Sequence, residues 1–115
     1  MQDAVGRAAA LLGAARAYLF ATIGELWTTL EAGQEVSLRQ RADFQVVHTQ
    51  VFAMCTEAVE LLYKARGGSA VYTGTVLDRC LRDMVTMNQH VGNSLRAYAM
   101  GGSLLLGLPA EEFLI

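Results

Sequence analysis

A line of polar residues in the second half of the chain offers the clearest chemistry in this sequence. Arg79, Asp83, Thr86 and His90 follow one another at intervals of four, three and four residues. That spacing predicts one face of a helix, and polar groups on an otherwise apolar helix need partners, a cavity or both. The imidazole of His90 can donate hydrogen bonds and move protons near neutral pH. His90 is therefore the candidate catalytic residue, and the alternative is a histidine hydrogen-bonded to polar neighbours at a helix interface.

Charged side chains accompany His90 in the same segment. Arg79 and Asp83 have the i,i+4 spacing of an ion pair, and the planar guanidinium of Arg82 can reach another helix or subunit. In the structural interpretation these three residues stabilise the fold. In the functional alternative they orient His90 or a cofactor.

A glycine pair followed by a serine, Gly67-Gly68-Ser69, precedes this segment. One interpretation is a helix stop, because glycine adopts a positive φ at little cost. The other is close approach of the backbone to a cofactor, since exposed N–H groups can bind phosphate oxygens and Ser69 could begin a helix directed at them.

The composition argues against several classes of function. The net charge is −2 and no basic cluster occurs, so no nucleic-acid partner is expected. Cys55 and Cys80 are expected to be small core residues in a reducing cytosol, with a disulfide or a metal pair as the alternative. No zinc spacing is completed, so no metal is expected.

The late uncharged run, 97–110, is too short to cross a membrane. No signal-peptide layout begins the chain, so a cytoplasmic location is expected.

Hydrophobic periodicity predicts a first helix over residues 2–30. Arg16 interrupts its apolar stripe and is expected to be paired or to lie at an interface. The stripe consists of Val5, Ala9, Leu12, Leu19, Ile23, Leu26 and Leu30. A short connection over 31–36, which contains Gly33, then turns the chain back.

Capping signals predict two more long helices. Ser37 and Gln40 form a capping-box signature at the start of the second helix, which the glycine pair ends. Its stripe consists of Phe44, Val47, Val51, Met54, Ala58, Leu61 and Ala65. After a short helix or turn over 69–73, Thr75 is the predicted cap of the third helix, with Asp78 three residues later. The core stripe of the third helix consists of Leu81, Met84, Asn88, Val91, Leu95 and Tyr98, before an interruption at Gly101-Gly102.

These elements predict an all-α fold in one domain over residues 1–115, an up-and-down bundle of three long helices with short terminal pieces. With 53% hydrophobic residues, the apolar faces are wider than three helices can bury among themselves. We therefore expect some faces to pack on identical subunits, in a dimer or tetramer, or on a further domain.

With these residues in view, the chain resembles the C-terminal helical domain of the acyl-CoA dehydrogenase superfamily from its first helix to Leu108-Pro109. The specific part of the resemblance is the glycine pair followed by Leu77, Arg79, Arg82, Asp83 and His90. The resemblance implies that an N-terminal helical domain and a central β-domain supply most of the flavin and substrate pocket. The chain is then expected to be a fragment of a larger flavoenzyme, without turnover of its own.

Two branches of the superfamily differ after the Arg-Asp pair. Acyl-CoA dehydrogenases commonly place a catalytic glutamate there, followed by Gly-Thr, whereas residues 84–110 of this chain contain no Asp or Glu. The two-component flavin monooxygenases, which include enzymes similar to 4-hydroxyphenylacetate hydroxylase and dibenzothiophene monooxygenase, have a histidine seven residues after Arg-Asp. Asp83 and His90 have that spacing, so the resemblance favours the monooxygenase branch.

This branch implies particular roles and partners. His90 would lie beside the ring of a flavin, FAD or FMN, which a separate reductase supplies in reduced form. Gly67, Gly68 and Ser69 would lie near the dinucleotide part of the flavin, often across a subunit boundary, and the cluster Arg79, Arg82 and Asp83 would orient the flavin or His90. The alternatives are an acyl-CoA dehydrogenase domain that oxidises a thioester and a free-standing oligomerisation module without catalysis.

Overall fold

A computed structural model describes residues 1–68, 74–90 and 95–109 of the chain. Four helices lie in these ranges: α1 (Gln2–Glu31), α2 (Leu38–Arg66), α3 (Val76–Met87) and α4 (Arg96–Leu105). No strand occurs among the described residues, so the predicted all-α class is confirmed. The predicted short helix or turn over 69–73, the stripe position Val91 and the candidate residue Ser69 lie outside the described ranges.

The predicted connection between the first two helices is confirmed in detail. Gly33 adopts a φ of 72°, which lets the chain turn after α1. The Ser37 hydroxyl accepts a hydrogen bond from the Gln40 N–H at 3.1 Å, and the Gln40 side chain accepts one from the Ser37 N–H at 3.0 Å. The same Gln40 amide donates to the Thr29 hydroxyl at 2.8 Å. The capping box therefore starts α2 and also joins it to the last turn of α1.

The apolar stripe predicted for α1 is not the face that packs on α2, so that prediction is wrong. The buried residues of α1 are Ala8, Ala15 and Thr22, a heptad-spaced line of small side chains that lets the two helices approach closely. Only Leu19 and Leu26 of the predicted stripe are half-buried. Other large apolar residues of α1 are turned away from the buried line by about the angle between one helical residue and the next. They form an exposed surface that we call the outer face of α1: Val5, Leu12, Phe20, Ile23, Trp27 and Leu30.

Helix α2 is the centre of the structure, because α1, α3 and α4 each pack against it. All positions of its predicted stripe are buried or half-buried, so that stripe is confirmed. The contact between α2 and α4 requires a glycine in α4. A Cβ built on Gly101 of α4 would lie 2.6 Å from Cγ2 of Val46 in α2, so any larger residue at this position would force the Val46 side chain or the helices to shift.

The prediction of a single long third helix is wrong. Thr75 caps α3 as predicted, accepting a hydrogen bond from the Asp78 N–H at 3.1 Å, but α3 ends at Met87 after 12 residues. The Asn88 side chain donates to the Thr56 hydroxyl of α2 at 2.8 Å, a tertiary bond at the end of α3. The chain resumes as α4, which runs through Gly101-Gly102 instead of being interrupted there. Leu95, predicted as a core position, is 80% exposed.

The described helices bury little large apolar surface. The fully buried hydrophobic residues are mostly small: Ala8, Ala15, Ala42, Val47, Ala58, Met84, Ala97 and Met100. The radius of gyration is 17.0 Å, against about 13 Å for a compact domain of this length. This elongated shape leaves the outer face of α1 without a covering layer.

Helix α1 is also long and apolar enough to cross a membrane, judged by length and composition only. A helix that packs between subunits of a soluble assembly has the same properties. The prediction of no membrane partner stays a prediction.

Candidate functional site

His90 lies beyond the end of α3, so it does not share a helix face with Arg79 and Asp83 as predicted. The His90 N–H donates to the Met87 carbonyl at 3.1 Å, in the tight turn that follows the helix. Its side chain is exposed. The turn, not the helical repeat, therefore sets the direction of this imidazole.

A second imidazole comes close to His90. The ring centroids of His48 and His90 are 6.3 Å apart, with the ring planes inclined at 57°. We call these two residues the imidazole pair. His48 lies on α2 between two rings one helical turn away on either side, Phe44 at 6.4 Å and Phe52 at 4.9 Å. These distances are typical of tilted aromatic contacts, which hold the His48 ring in place.

Nδ1 of His48 is buried and has no hydrogen-bond partner in the described part of the chain. A buried polar atom without a partner costs about 1–3 kcal/mol and asks for a functional explanation. The sequence offers no recognisable constellation around His48, and its contact with His90 was not predicted. The i,i+4 repeat of Phe44, His48 and Phe52 was the one available signal.

An open groove of about 350 Å³ lies beside the end of α3, between α2 and α4. Its lining consists of Thr49, Ala53, Thr56, Glu57, Glu60, Asn88, Leu95 and Tyr98. The Tyr98 hydroxyl donates to the Gln50 side chain at 2.7 Å. Burial first, and the nearby Tyr18 second, raise the pKa of Tyr98 above its usual range. The groove can accept hydrogen-bonding groups at a point where three segments of chain meet.

The charged cluster on α3 forms a different ion pair from the one predicted. Nε of Arg82 lies 3.4 Å from a carboxylate oxygen of Asp78, whereas Arg79 and Asp83 are exposed and form no ion pair with each other among the described residues. Asp78 is buried and also accepts the Gly74 N–H at 3.2 Å. An acid that precedes a base by four residues is the more favourable order in a helix, which explains the choice.

The glycine pair ends α2, which is the helix stop predicted in the structural interpretation. Gly67 has φ 71° and ψ −147°, a conformation open almost only to glycine. Its N–H donates to the Lys64 carbonyl. A Cβ on Gly68 would meet nothing within 4 Å, so the backbone there is open on one side. The role of Gly67, Gly68 and Ser69 in cofactor binding stays a prediction.

The candidate residues fall into two groups that this chain does not bring together. From His48 to Arg66, which precedes the glycine pair, α2 rises by about 27 Å at 1.5 Å per residue. The first group is the imidazole pair. The second group is the glycine pair together with the start of α3. One ligand group cannot touch both within this chain, so a shared cofactor would have to be long or reach across a subunit boundary.

The two cysteines are both free. Burial raises the pKa of the Cys55 thiol. Cys80 is exposed, so its predicted place in the core is wrong. Within the described ranges, no three His, Cys, Asp or Glu side chains are grouped so that they could hold a metal ion.

Residues 1–95 match the family described as "Acyl-CoA dehydrogenase, C-terminal domain". Among curated proteins, the chain is 32% identical over 87 residues to a pigment production hydroxylase of Rhodococcus erythropolis, an alignment that covers 76% of this chain and 22% of the relative. It is 26% identical over 112 residues to the "Flavin-dependent monooxygenase, oxygenase subunit HsaA" of Rhodococcus jostii, which covers 96% of this chain and 29% of the relative.

A solved structure shows the same fold. The 3-HSA hydroxylase from a Rhodococcus species superposes with a TM-score of 0.92 at 25% identity, over 99% of this chain and 30% of that one. The chain thus spans less than a third of the length of each of these relatives.

Proposed function

The chain belongs to the family of acyl-CoA dehydrogenase C-terminal domains, and on this basis we propose that it is the C-terminal helical domain of a flavin-dependent monooxygenase. The observation that carries the proposal is the agreement between two independent features. Relatives that align with most of the chain are hydroxylases or flavin-dependent monooxygenases. The chain also has a histidine seven residues after Asp83 and no carboxylate over 84–110, where a dehydrogenase commonly has its base.

The residues around the imidazole pair fit a flavin and its substrate. His90 is an exposed imidazole that can donate to or accept a proton from a substrate hydroxyl. The ring of His48 lies beside His90 and packs in turn on the ring of Phe52. A reduced flavin, FAD or FMN, would supply the electrons for transfer of one atom of O2 to an organic substrate. This chain would then form one wall of the site and contribute a proton-transfer group.

The proposal includes a separate flavin reductase as partner. One relative is described as an oxygenase subunit, which supports a division of labour between oxygenation and flavin reduction. A cytoplasmic location also belongs to the proposal, supported by two thiols that remain free in the structure.

We further propose that the chain assembles as a homodimer or homotetramer through the outer face of α1. Trp27, Leu30 and Phe20 on this face are 63%, 58% and 56% exposed. Exposing such a contiguous apolar stripe to water is unfavourable by about 25 cal/mol per Å². A second copy of the same helix is a self-complementary partner for it.

The experiment uses the complete enzyme, with a reductase that supplies reduced flavin and with phenolic substrates. We expect hydroxylated product to accompany flavin oxidation in the native enzyme. His90→Ala should lower the product formed per flavin oxidised by about 100-fold, the lower end for loss of an acid–base group, while flavin still binds. A normal product yield from this variant would remove His90 from the site. Reduction of the bound flavin by an acyl-CoA would instead identify a dehydrogenase and overturn the proposal.

A further inference from the structure

His48 is a half-buried, titratable side chain that the proposed function does not yet use. Its ring fills a place between Phe44 and Phe52 where a phenylalanine would pack equally well and leave no polar atom buried. Instead, Nδ1 is buried without a hydrogen-bond partner among residues 1–68, 74–90 and 95–109. Because an unpaired buried N–H is costly, a neutral His48 ring keeps its proton on Nε2 and presents that atom as a hydrogen-bond donor.

The distance between the two imidazoles limits how they can interact. At 6.3 Å between centroids, a direct nitrogen–nitrogen hydrogen bond of about 2.9 Å is out of reach. Two hydrogen bonds through one oxygen atom span about 5 Å between nitrogens, which fits this separation.

We propose that His48 is a positioning residue for His90, and that it acts through one water molecule hydrogen-bonded to both imidazoles. His90 lies in the turn past the end of α3, so contacts outside the regular helix decide how its imidazole is oriented. His48 can give that support because the rings of Phe44 and Phe52 hold it on the middle helix of the bundle. The bridge would set the direction and the tautomer in which His90 meets the substrate. This inference rests on the proposed function.

The kinetic test uses three variants of the complete enzyme. His48→Phe keeps a ring in the cluster and removes both nitrogens. We expect it to lower kcat for hydroxylation about tenfold, the size found when a group that orients a functional side chain is removed, with KM for the substrate within twofold. His48→Gln, whose amide can still bind water, should restore most of kcat. Leu61→Ala, which changes a half-buried residue of α2 about 20 Å along the helix from His48, is the control and should stay within twofold of the native kcat.

A second readout does not depend on turnover. The sequence contains two histidines, His48 and His90, so the ring nitrogens of the 115-residue chain give only two sets of ¹⁵N signals. The ¹⁵N shifts of an imidazole report its tautomer, and they respond little to neighbouring ring currents. We expect His48→Phe to shift the His90 nitrogens toward the other tautomer, and Leu61→Ala to leave them unchanged. Circular dichroism checks that each variant is helical.

Several results would overturn the inference. Equal kcat values for His48→Phe and the native enzyme would do so, as would a loss of kcat in His48→Phe that His48→Gln fails to restore. So would unchanged His90 nitrogen shifts in a folded His48→Phe chain. If the complete enzyme hydroxylates nothing, the proposed function fails, while the nitrogen shifts still decide whether the two imidazoles are linked.

Discussion

The close approach of α4 to α2 gives the sharpest prediction from this structure, because two neighbouring glycines differ in what an added methyl would meet. At Gly101 the new Cβ would lie 2.6 Å from Cγ2 of Val46, whereas at Gly102 it would meet nothing within 4 Å. Alanine at either position gains up to about 1 kcal/mol of helix propensity. Val46 is β-branched and stiff within α2, so its methyl cannot rotate away and the helices must move apart.

Forcing an extra methyl into a packed contact costs about 1–3 kcal/mol. The packing cost less the propensity gain predicts that Gly101→Ala lowers the free energy of unfolding by up to about 2 kcal/mol. We expect Gly102→Ala to raise it by up to about 1 kcal/mol. The difference between the two variants isolates the helix contact, since the propensity gain is similar in both.

Urea denaturation followed by far-UV circular dichroism measures both values. The melting temperatures should move in opposite directions, by about 4 °C per kcal/mol for a chain of this length. Val46→Ala removes the opposing methyl, so the double variant with Gly101→Ala should show a favourable coupling. If Gly101→Ala were as stable as Gly102→Ala, α4 would not lie against α2 as described.

Three further predictions concern the ends of helices, pH and assembly. Gly67→Ala should destabilise the chain by about 1–3 kcal/mol in the same urea assay, because the backbone at this position suits glycine alone; Gly68→Ala is the control and should cost less. Burial raises the pKa of Tyr98, so the folded state holds the phenol proton more tightly than the unfolded state does. The contribution of Tyr98 to the free energy of unfolding is full below about pH 10. This contribution is lost as the pH rises through the pKa of Tyr98 in the folded state. Tyr98→Phe should flatten the stability curve above that pH, and an unchanged slope would contradict the argument. Trp27→Lys should shift the oligomer toward monomer in sedimentation, whereas Gln34→Lys in the exposed connection should not; a monomeric native chain would disprove the proposed interface.

The separation of the two candidate groups also bears on how a flavin would use this domain. The glycine pair and the imidazole pair lie about 27 Å apart along α2. If both groups have the flavin-binding roles predicted for them, that distance requires either one long cofactor or two flavins in neighbouring subunits. The proposed oligomer through α1 is one way to bring the second flavin within reach.

The sequence by itself determined the parts of the structure that depend on neighbours along the chain. The caps at Ser37 and Thr75 and the stop at Gly67 are formed as predicted. Each involves a side chain or a φ angle and backbone groups within four residues, so the local pattern contains the necessary information. The spacing of Asp83 and His90 resembles that of the monooxygenase branch, and this resemblance is part of the support for the proposed function.

Only the tertiary structure decided which surfaces meet. Small residues of α1 pack on α2 and the larger stripe stays outside, because close approach of the helices gains more contact than burial of a few large side chains. At the end of α3, the Asn88 side chain is hydrogen-bonded to Thr56, which is 32 residues away in the sequence. The same break places His90 against His48, 42 positions earlier in the sequence. Such pairings arise from packing between helices, and the periodicity of one helix at a time holds no information about them.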